Sequence, residues 1–235
     1  MRALALCALA ACSFPTKELV GYDCMATAAP TTAPDSVVLA GNAYDRYTPV
    51  EVSGAKISAY RTADPTHSLY TATSDASGNF AGTLMLGGIP FEGYAAVTAA
   101  GYVDTYVFSS TAIVADTMFG SVEFQPATVA NLSTRFGTSI DMTKAQLLVV
   151  LNDCDDMGIE AAQVATSPAV PVYYLSNYQP APAGTAATDN TGAAILLNVP
   201  TGPIHVTATA GSITLQVDVI GFAGAFTEVL LSPQR

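Results

Sequence analysis

The chain has 235 residues, of which 50% are hydrophobic and only 11% are charged. Its 19 acidic and 8 basic residues leave a net charge of −11, which repels phosphate backbones and offers no basic stripe, so the balance argues against nucleic-acid binding. So apolar a composition also excludes intrinsic disorder and leaves surface polarity to Thr, Ser, Asn and Asp.

The chain opens with Met1-Arg2, then nine apolar residues at 3–11, then Cys12. A charged residue before an apolar run too short to cross a bilayer reads as an export signal rather than a membrane span. Leu9-Ala10-Ala11-Cys12 resembles the bacterial lipobox, which implies a signal peptide at 1–11 and a lipidated Cys12 as the mature N-terminus. Ser13 in the next position implies the outer membrane under the lipoprotein sorting rule. The segment is shorter than the usual signal of about 15–30 residues, and an ordinary cleaved signal is the alternative. With Cys7 removed and Cys12 lipidated, Cys24 and Cys154 remain, either as a disulfide or as two buried thiols. Residues 12–35 carry Pro15, Pro30 and Pro34 with no sustained period and read as a tether.

Short β-like segments follow. Residues 37–44, 55–61, 68–73, 80–86, 93–99 and 102–109 read as strands, broken by Pro49, Pro65, Asp75-x-x-Gly78, Gly87-Gly88 and Gly101. Pro126 opens and Gly137 closes a segment whose Val129, Leu132 and Phe136 share a face, predicting one helix. A second series of strands is predicted at 146–152, 162–166, 171–175, 185–188, 193–199, 204–209, 213–219 and 226–231. In the 213–219 segment Ile213, Leu215, Val217 and Val219 alternate with Thr214, Gln216 and Asp218, so one face is buried and the other wet.

Two stretches repeat one pattern: Ala55-Lys-Ile leading to Thr73-Ser-Asp-Ala-Ser-Gly-Asn-Phe80, and Ala162-Gln-Val leading to Ala187-Thr-Asp-Asn-Thr-Gly-Ala-Ala194. This self-similarity predicts two copies of one small all-β domain, a sandwich or a barrel, at 36–120 and 146–235, with a helical linker at 121–145. Gly41, Gly54-Ala55 and Ala100-Gly-Tyr102 in the first copy, with Asp156-x-Gly158 and Asn198-Val-Pro-Thr-Gly202 in the second, complete the pattern. These residues resemble the carboxypeptidase regulatory-like domain, a seven-stranded, prealbumin-like Greek-key sandwich also described as a carbohydrate-binding-like fold. The order of elements also looks like exported lipoproteins of myxobacteria and relatives. The first copy departs from the pattern, having Gly88-Ile-Pro90 where the second has Val199-Pro-Thr-Gly202. The resemblance implies a non-catalytic module of secreted or envelope proteins and carries over no catalytic residue.

The Asp-x-x-Gly turns need no ligand: Asp accepts amides two or three residues on, and Gly supplies a positive φ. Asn152-Asp-Cys-Asp-Asp-Met-Gly158 is similar to the opening of an EF-hand loop but lacks its closing Glu, position 12 being Val164. His67, beside Pro65, is expected in a turn, and His205 on the polar face of a strand. No nucleophile elbow, HExxH helix, Walker loop or dinucleotide fingerprint occurs, so no catalytic residue, metal or cofactor is expected. Tyr173, Tyr174 and Tyr178 are the candidate sugar platform, with Tyr102, Tyr106 and Phe108 expected on one strand face of the first copy. The sequence therefore predicts a non-catalytic, lipid-anchored envelope protein whose partner is the membrane plus an envelope protein or polysaccharide. A carbohydrate-binding module and a freely secreted accessory domain are the alternatives.

Overall fold

A computed structural model describes Cys24 and residues 28–45, 48, 50–123, 125–177 and 179–233; the side chains of residues 121–123 are not described. The expected signal peptide, Cys12 and Tyr178 lie outside the described residues. Among those that are described, the chain is almost wholly β. The first half runs β1 (Ser36–Asp45), β2 (Lys56–Arg61), β3 (Asp64–Thr73), β4 (Asn79–Met85), β5 (Gly93–Thr98), β6 (Thr105–Ser109) and β7 (Thr117–Glu123). Helix α1 (Pro126–Phe136) leads into β8 (Ala145–Leu151), β9 (Gln163–Ser167), β10 (Val172–Ser176), β11 (Gln179–Pro180), β12 (Ala193–Val199), β13 (Gly202–Ala210), β14 (Ile213–Gly221) and β15 (Phe226–Leu231).

Three sheets hold these strands: β4-β1-β7, β14-β13-β9, and a nine-stranded sheet in the order β11-β10-β12-β8-β15-β6-β5-β2-β3. The halves follow one plan. In each, the first strand pairs antiparallel with one neighbour and parallel with the last strand: β1 with β4 and β7, β8 with β12 and β15. The third strand differs, since β3 pairs with β2 whereas its counterpart β10 pairs with β12. The nine-stranded sheet is continuous because β15, the last strand of the second half, also pairs in parallel with β6 of the first.

This sheet is buried on alternate sides. Against the first half it meets β4-β1-β7 over a core that includes Leu39, Ile57, Phe80, Leu84, Val97 and Val107. Against the second half its opposite face meets β14-β13-β9 over Leu147, Val149, Leu196, Val206, Leu215 and Val229. Helix α1 covers the remaining face of the second half, placing Val129 and Leu132 on Leu148, Ile195 and Phe226. Both faces of β8 and β12 are therefore buried, which is why they read Ala-Gln-Leu-Leu-Val-Val-Leu and Ala-Ala-Ile-Leu-Leu-Asn-Val rather than alternating. The helix starts at Pro126 and stops at Gly137, whose left-handed φ of 61° lets its amide turn back on the last carbonyls.

Several elements differ from expectation. β7 carries no strand signal because Gly120 breaks its short apolar run and Met118 is 82% exposed. Its range runs through Glu123, past the boundary expected at residue 120. Residues 185–188 form no strand; Thr188 instead turns its hydroxyl inward. His67 lies within β3 rather than in a turn, because β3 begins at Asp64. The expected tether is held at its far end: Leu86 and Gly87 donate amides to the Asp35 carbonyl, and Ala33 packs on the first core.

Phe108 tests whether the halves are one cooperative unit. It is 1% exposed and, although it belongs to β6, it is buried with the second-half core. Phe108→Ala is expected to cost about 3–5 kcal/mol. Urea unfolding followed by far-UV dichroism and tyrosine fluorescence should still show one coincident transition at a lower midpoint; two separated transitions would mean that the halves unfold independently.

Candidate functional site

The repeated Asp-x-x-Gly motif builds the same device twice. In the first half Ser74 Oγ accepts the Ala55 amide at 2.9 Å and donates to the Val52 carbonyl at 2.6 Å. In the second, Thr188 Oγ1 accepts the Ala162 amide at 3.0 Å and donates to the Ile159 carbonyl at 2.6 Å. The next residue closes the turn: Asp75 Oδ1 accepts the Ser77 and Asn79 amides, and Asp189 Oδ1 accepts the Thr191 amide and hydroxyl. Gly78 and Gly192 then take φ of 72° and 64°, and each presses so close to the first strand that an added Cβ would meet the Ala43 carbonyl at 2.5 Å or the Leu151 carbonyl at 2.2 Å. These oxygens are consumed by the backbone, so the turns are structural.

The acidic loop works in the same way. Asp153 Oδ1 accepts the Asp155 and Met157 amides at 2.9 Å each, a position that Asp45 fills in the first half by accepting the Thr48 amide. Cys154 within this loop is bonded to Cys24, with 5.8 Å between their Cα atoms. The bond fixes the chain before β1 to the second half, 130 residues away.

The structure does not bring Tyr173 and Tyr174 together. Tyr173 and Tyr174 are neighbours on β10 and point to opposite faces. The Tyr173 hydroxyl bonds Thr138 Oγ1 at 2.7 Å and its ring lies 5.1 Å from Phe136 at the end of α1. The Tyr174 ring is in the second-half core, where its hydroxyl accepts the Val164 amide at 3.0 Å. Tyr102 does not share a face with Tyr106 and Phe108 either: it precedes β6 and packs on the first core.

An aromatic seam lies elsewhere, and of its members the sequence placed only Tyr106 and Phe108 on one face. Tyr60, Tyr94, Tyr106 and Phe108 line the outward face of β2, β5 and β6, where they meet Phe222 from the loop between β14 and β15. Tyr106 stacks on Phe222 with centroids 3.7 Å apart, and Tyr94 stacks on Phe108 at 4.9 Å. Burial pushes both phenols above the ordinary tyrosine range, with Tyr60 adding to each and Asp104 adding to Tyr106. The corresponding face of the second half is wet. There His205 bonds Asp218 across β13 and β14 at 2.7 Å among Thr207, Thr214 and Gln216. His67 is likewise exposed and pairs with Asp64.

A cleft of about 490 Å³ opens beside the junction. Its walls include Phe91 and Phe119, the 111–116 loop, Asn152, Asp156 and Ser232. Asp116 contributes a carboxylate that accepts the Val38 amide at 2.8 Å.

No protein-family model and no curated protein matches the chain. Solved structures similar to it include the Bacillus anthracis TIE protein, at 13% identity and a TM-score of 0.29; the likeness covers 85% of this chain but 33% of that one, so the chain spans about a third of its length. The shaft pilin SpaA of Lactobacillus rhamnosus GG is 12% identical at a TM-score of 0.26, covering 86% of this chain and 98% of the pilin. A streptococcal ancillary pilin is 11% identical at a TM-score of 0.27, covering 85% and 62%. Likenesses this distant bear neither on activity nor on location.

Two measurements test the turns. Thr188 is 4% exposed and Ser74 5%, so Thr188→Val or Ser74→Ala leaves a buried amide and carbonyl unpaired, and each should cost about 1–3 kcal/mol in urea unfolding. Asp189 tests the charge. Burial pushes its carboxyl up, but the Thr191 hydroxyl and amide, the Asn177 amide and the Ser176 side chain hold it below the usual carboxylate value. A depressed native pKa adds stability that is present above the unfolded value and lost as the pH falls through the native one. Asp189→Asn should therefore be less stable than the wild type at pH 7, the gap closing as the pH falls below about 4; a gap independent of pH would remove the charge from the account.

Proposed function

We propose that the chain is a non-catalytic, lipid-anchored protein of the cell envelope, held at the outer membrane by an acylated Cys12. Its two tandem seven-stranded Greek-key sandwiches would serve as a structural or protein-interaction module. The proposed parts are a signal at 1–11, a tether at 12–35, sandwiches at 36–120 and 146–235, and a linker at 121–145. The observation that carries this reading is the continuous nine-stranded sheet, which joins the halves through main-chain bonds and an aromatic seam rather than leaving a hinged cleft between them. Such a body suits a spacer or docking platform. The non-catalytic part draws on the chemistry of the described side chains. His67 and His205 each bond an aspartate on their own sheet, and Asp75, Asp153 and Asp189 are engaged by backbone amides. The lipid anchor draws on the lipobox resemblance, and among the described residues no helix is long and apolar enough to cross a membrane.

Sugar binding is the second reading, and the cleft favours it. A volume of about 490 Å³ with aromatic walls and a carboxylate falls within the usual range for small ligands. Saturable retention on cell-wall polysaccharide, lost in Thr111→Trp, would select that reading.

The intact mass of protein extracted from native membranes tests the anchor. The expected species begins at a triacylated Cys12 and gains two alkylations only after reduction. A species without lipid would sink the anchor and leave a freely secreted module.

A further inference from the structure

The cleft beside the junction runs along the edge of a strand. Thr117, Met118 and Phe119 are consecutive on β7, and all three line it. Successive side chains on a strand point to opposite faces, and here the Phe119 ring packs on the first core while Met118 is 82% exposed. What the three residues share towards the cleft is therefore the main chain, with the amides and carbonyls that face away from β1. Among the described residues β7 pairs only with β1. Its counterpart shows what such an edge accepts: Leu39 faces Thr117 as Leu147 faces Thr227, and β15, which holds Thr227, pairs on its second edge with β6.

This edge is also unguarded. Native sheets blunt their edges with proline, charge or irregular pairing. The nine-stranded sheet does so at both ends, with Pro65 and register breaks in β3 and Pro180 in the two-residue β11. Over residues 117–120 β7 has neither proline nor charge. Beside it the cleft combines two kinds of wall. Phe91, Val107 and Leu230 are apolar, Asp116 and Asp156 carry negative charge, and no Lys, Arg or His lines it among the described residues. A volume of about 490 Å³ accommodates a long side chain with an apolar stem and a cationic head.

We propose that the β7 edge and the cleft together form a docking site for an extended segment of a partner protein, which adds a strand at residues 117–120 and places a lysine or arginine in the cleft. Main-chain bonds supply the attachment and the inserted side chain supplies the selectivity. The stem lies on Phe91 and Leu230, and the head meets the carboxylates of Asp116 and Asp156. This inference rests on the protein-interaction reading of the module and names the surface and the chemistry of its partner.

Fluorescence anisotropy on the oxidised full chain tests it, with the fluorescein-labelled peptide Thr-Val-Thr-Lys-Thr-Val-Thr as the probe. Binding should be saturable, and about tenfold weaker when the peptide is N-methylated at the lysine and both its neighbours, which removes the amides that pairing needs. A peptide with glutamate in place of the lysine should bind about threefold or more weakly. Asp116→Asn keeps an oxygen for the Val38 amide and should weaken the lysine peptide by about the same threefold. Hydrogen exchange at residues 117–120 should slow when the lysine peptide is bound. The proposal is overturned by the absence of saturable binding, by equal binding of the methylated or the glutamate peptide, or by unchanged binding in Asp116→Asn. A photo-crosslinker placed in native membranes at the position of Met118 or of His205 separates this failure from that of the broader reading. If the peptide fails, protein neighbours captured at either position preserve the interaction module without this site, and none at either removes that reading as well.

Discussion

The structure depends on one strand. β15 is held in parallel by β8 on one side and β6 on the other, and removing it would separate the nine-stranded sheet into two pieces. Parallel neighbours bring like-numbered faces into line, so Val229 and Phe108 point to the same side and Glu228 and Val107 to the other. That alignment lets a single sheet serve two cores on opposite faces. It also requires the outward side of β2, β5 and β6 to be apolar, which accounts for Tyr60, Tyr94, Tyr106 and Phe108 on a surface that would otherwise be polar.

Much of the architecture was legible in the sequence, because its signals are local. The Asp-x-x-Gly turns, the Pro126 to Gly137 helix and the alternation at 213–219 each rest on residues close together in the chain. The repeat was legible too, and the hydrogen bonds of Ser74 and Thr188 give its physical reason: a hydroxyl one residue before the aspartate fastens the turn to the second strand of its half. β7 was not legible, since Gly120 interrupts its short apolar run and its Met118 stands exposed.

The site was less legible than the fold. Strand geometry alone already separates Tyr173 from Tyr174, since neighbours on a strand point to opposite faces, and the structure buries Tyr174 in the core. The aromatic seam joins residues 60, 94, 106, 108 and 222, and no spacing rule connects Tyr60 with Phe222. Gln146 is similar: it is fully buried, yet it donates to the Asp141 carbonyl and accepts the Asn198 amide. Asn198 sits at a bulge with φ of 59°, where Asn is better tolerated than most residues, and its own side chain binds residues 139 and 141. The Asn-Val-Pro-Thr-Gly segment is thus a structural latch, although its sequence reads only as a turn.

The polar outer face of β13 and β14 sets a direction. A further sandwich joined there by the same geometry would lay its apolar core against His205, Asp218 and Gln216, stripping water from groups that have no new partner to offer in return. The outer faces of the two halves therefore differ in kind: one is apolar and covered, the other polar and in water.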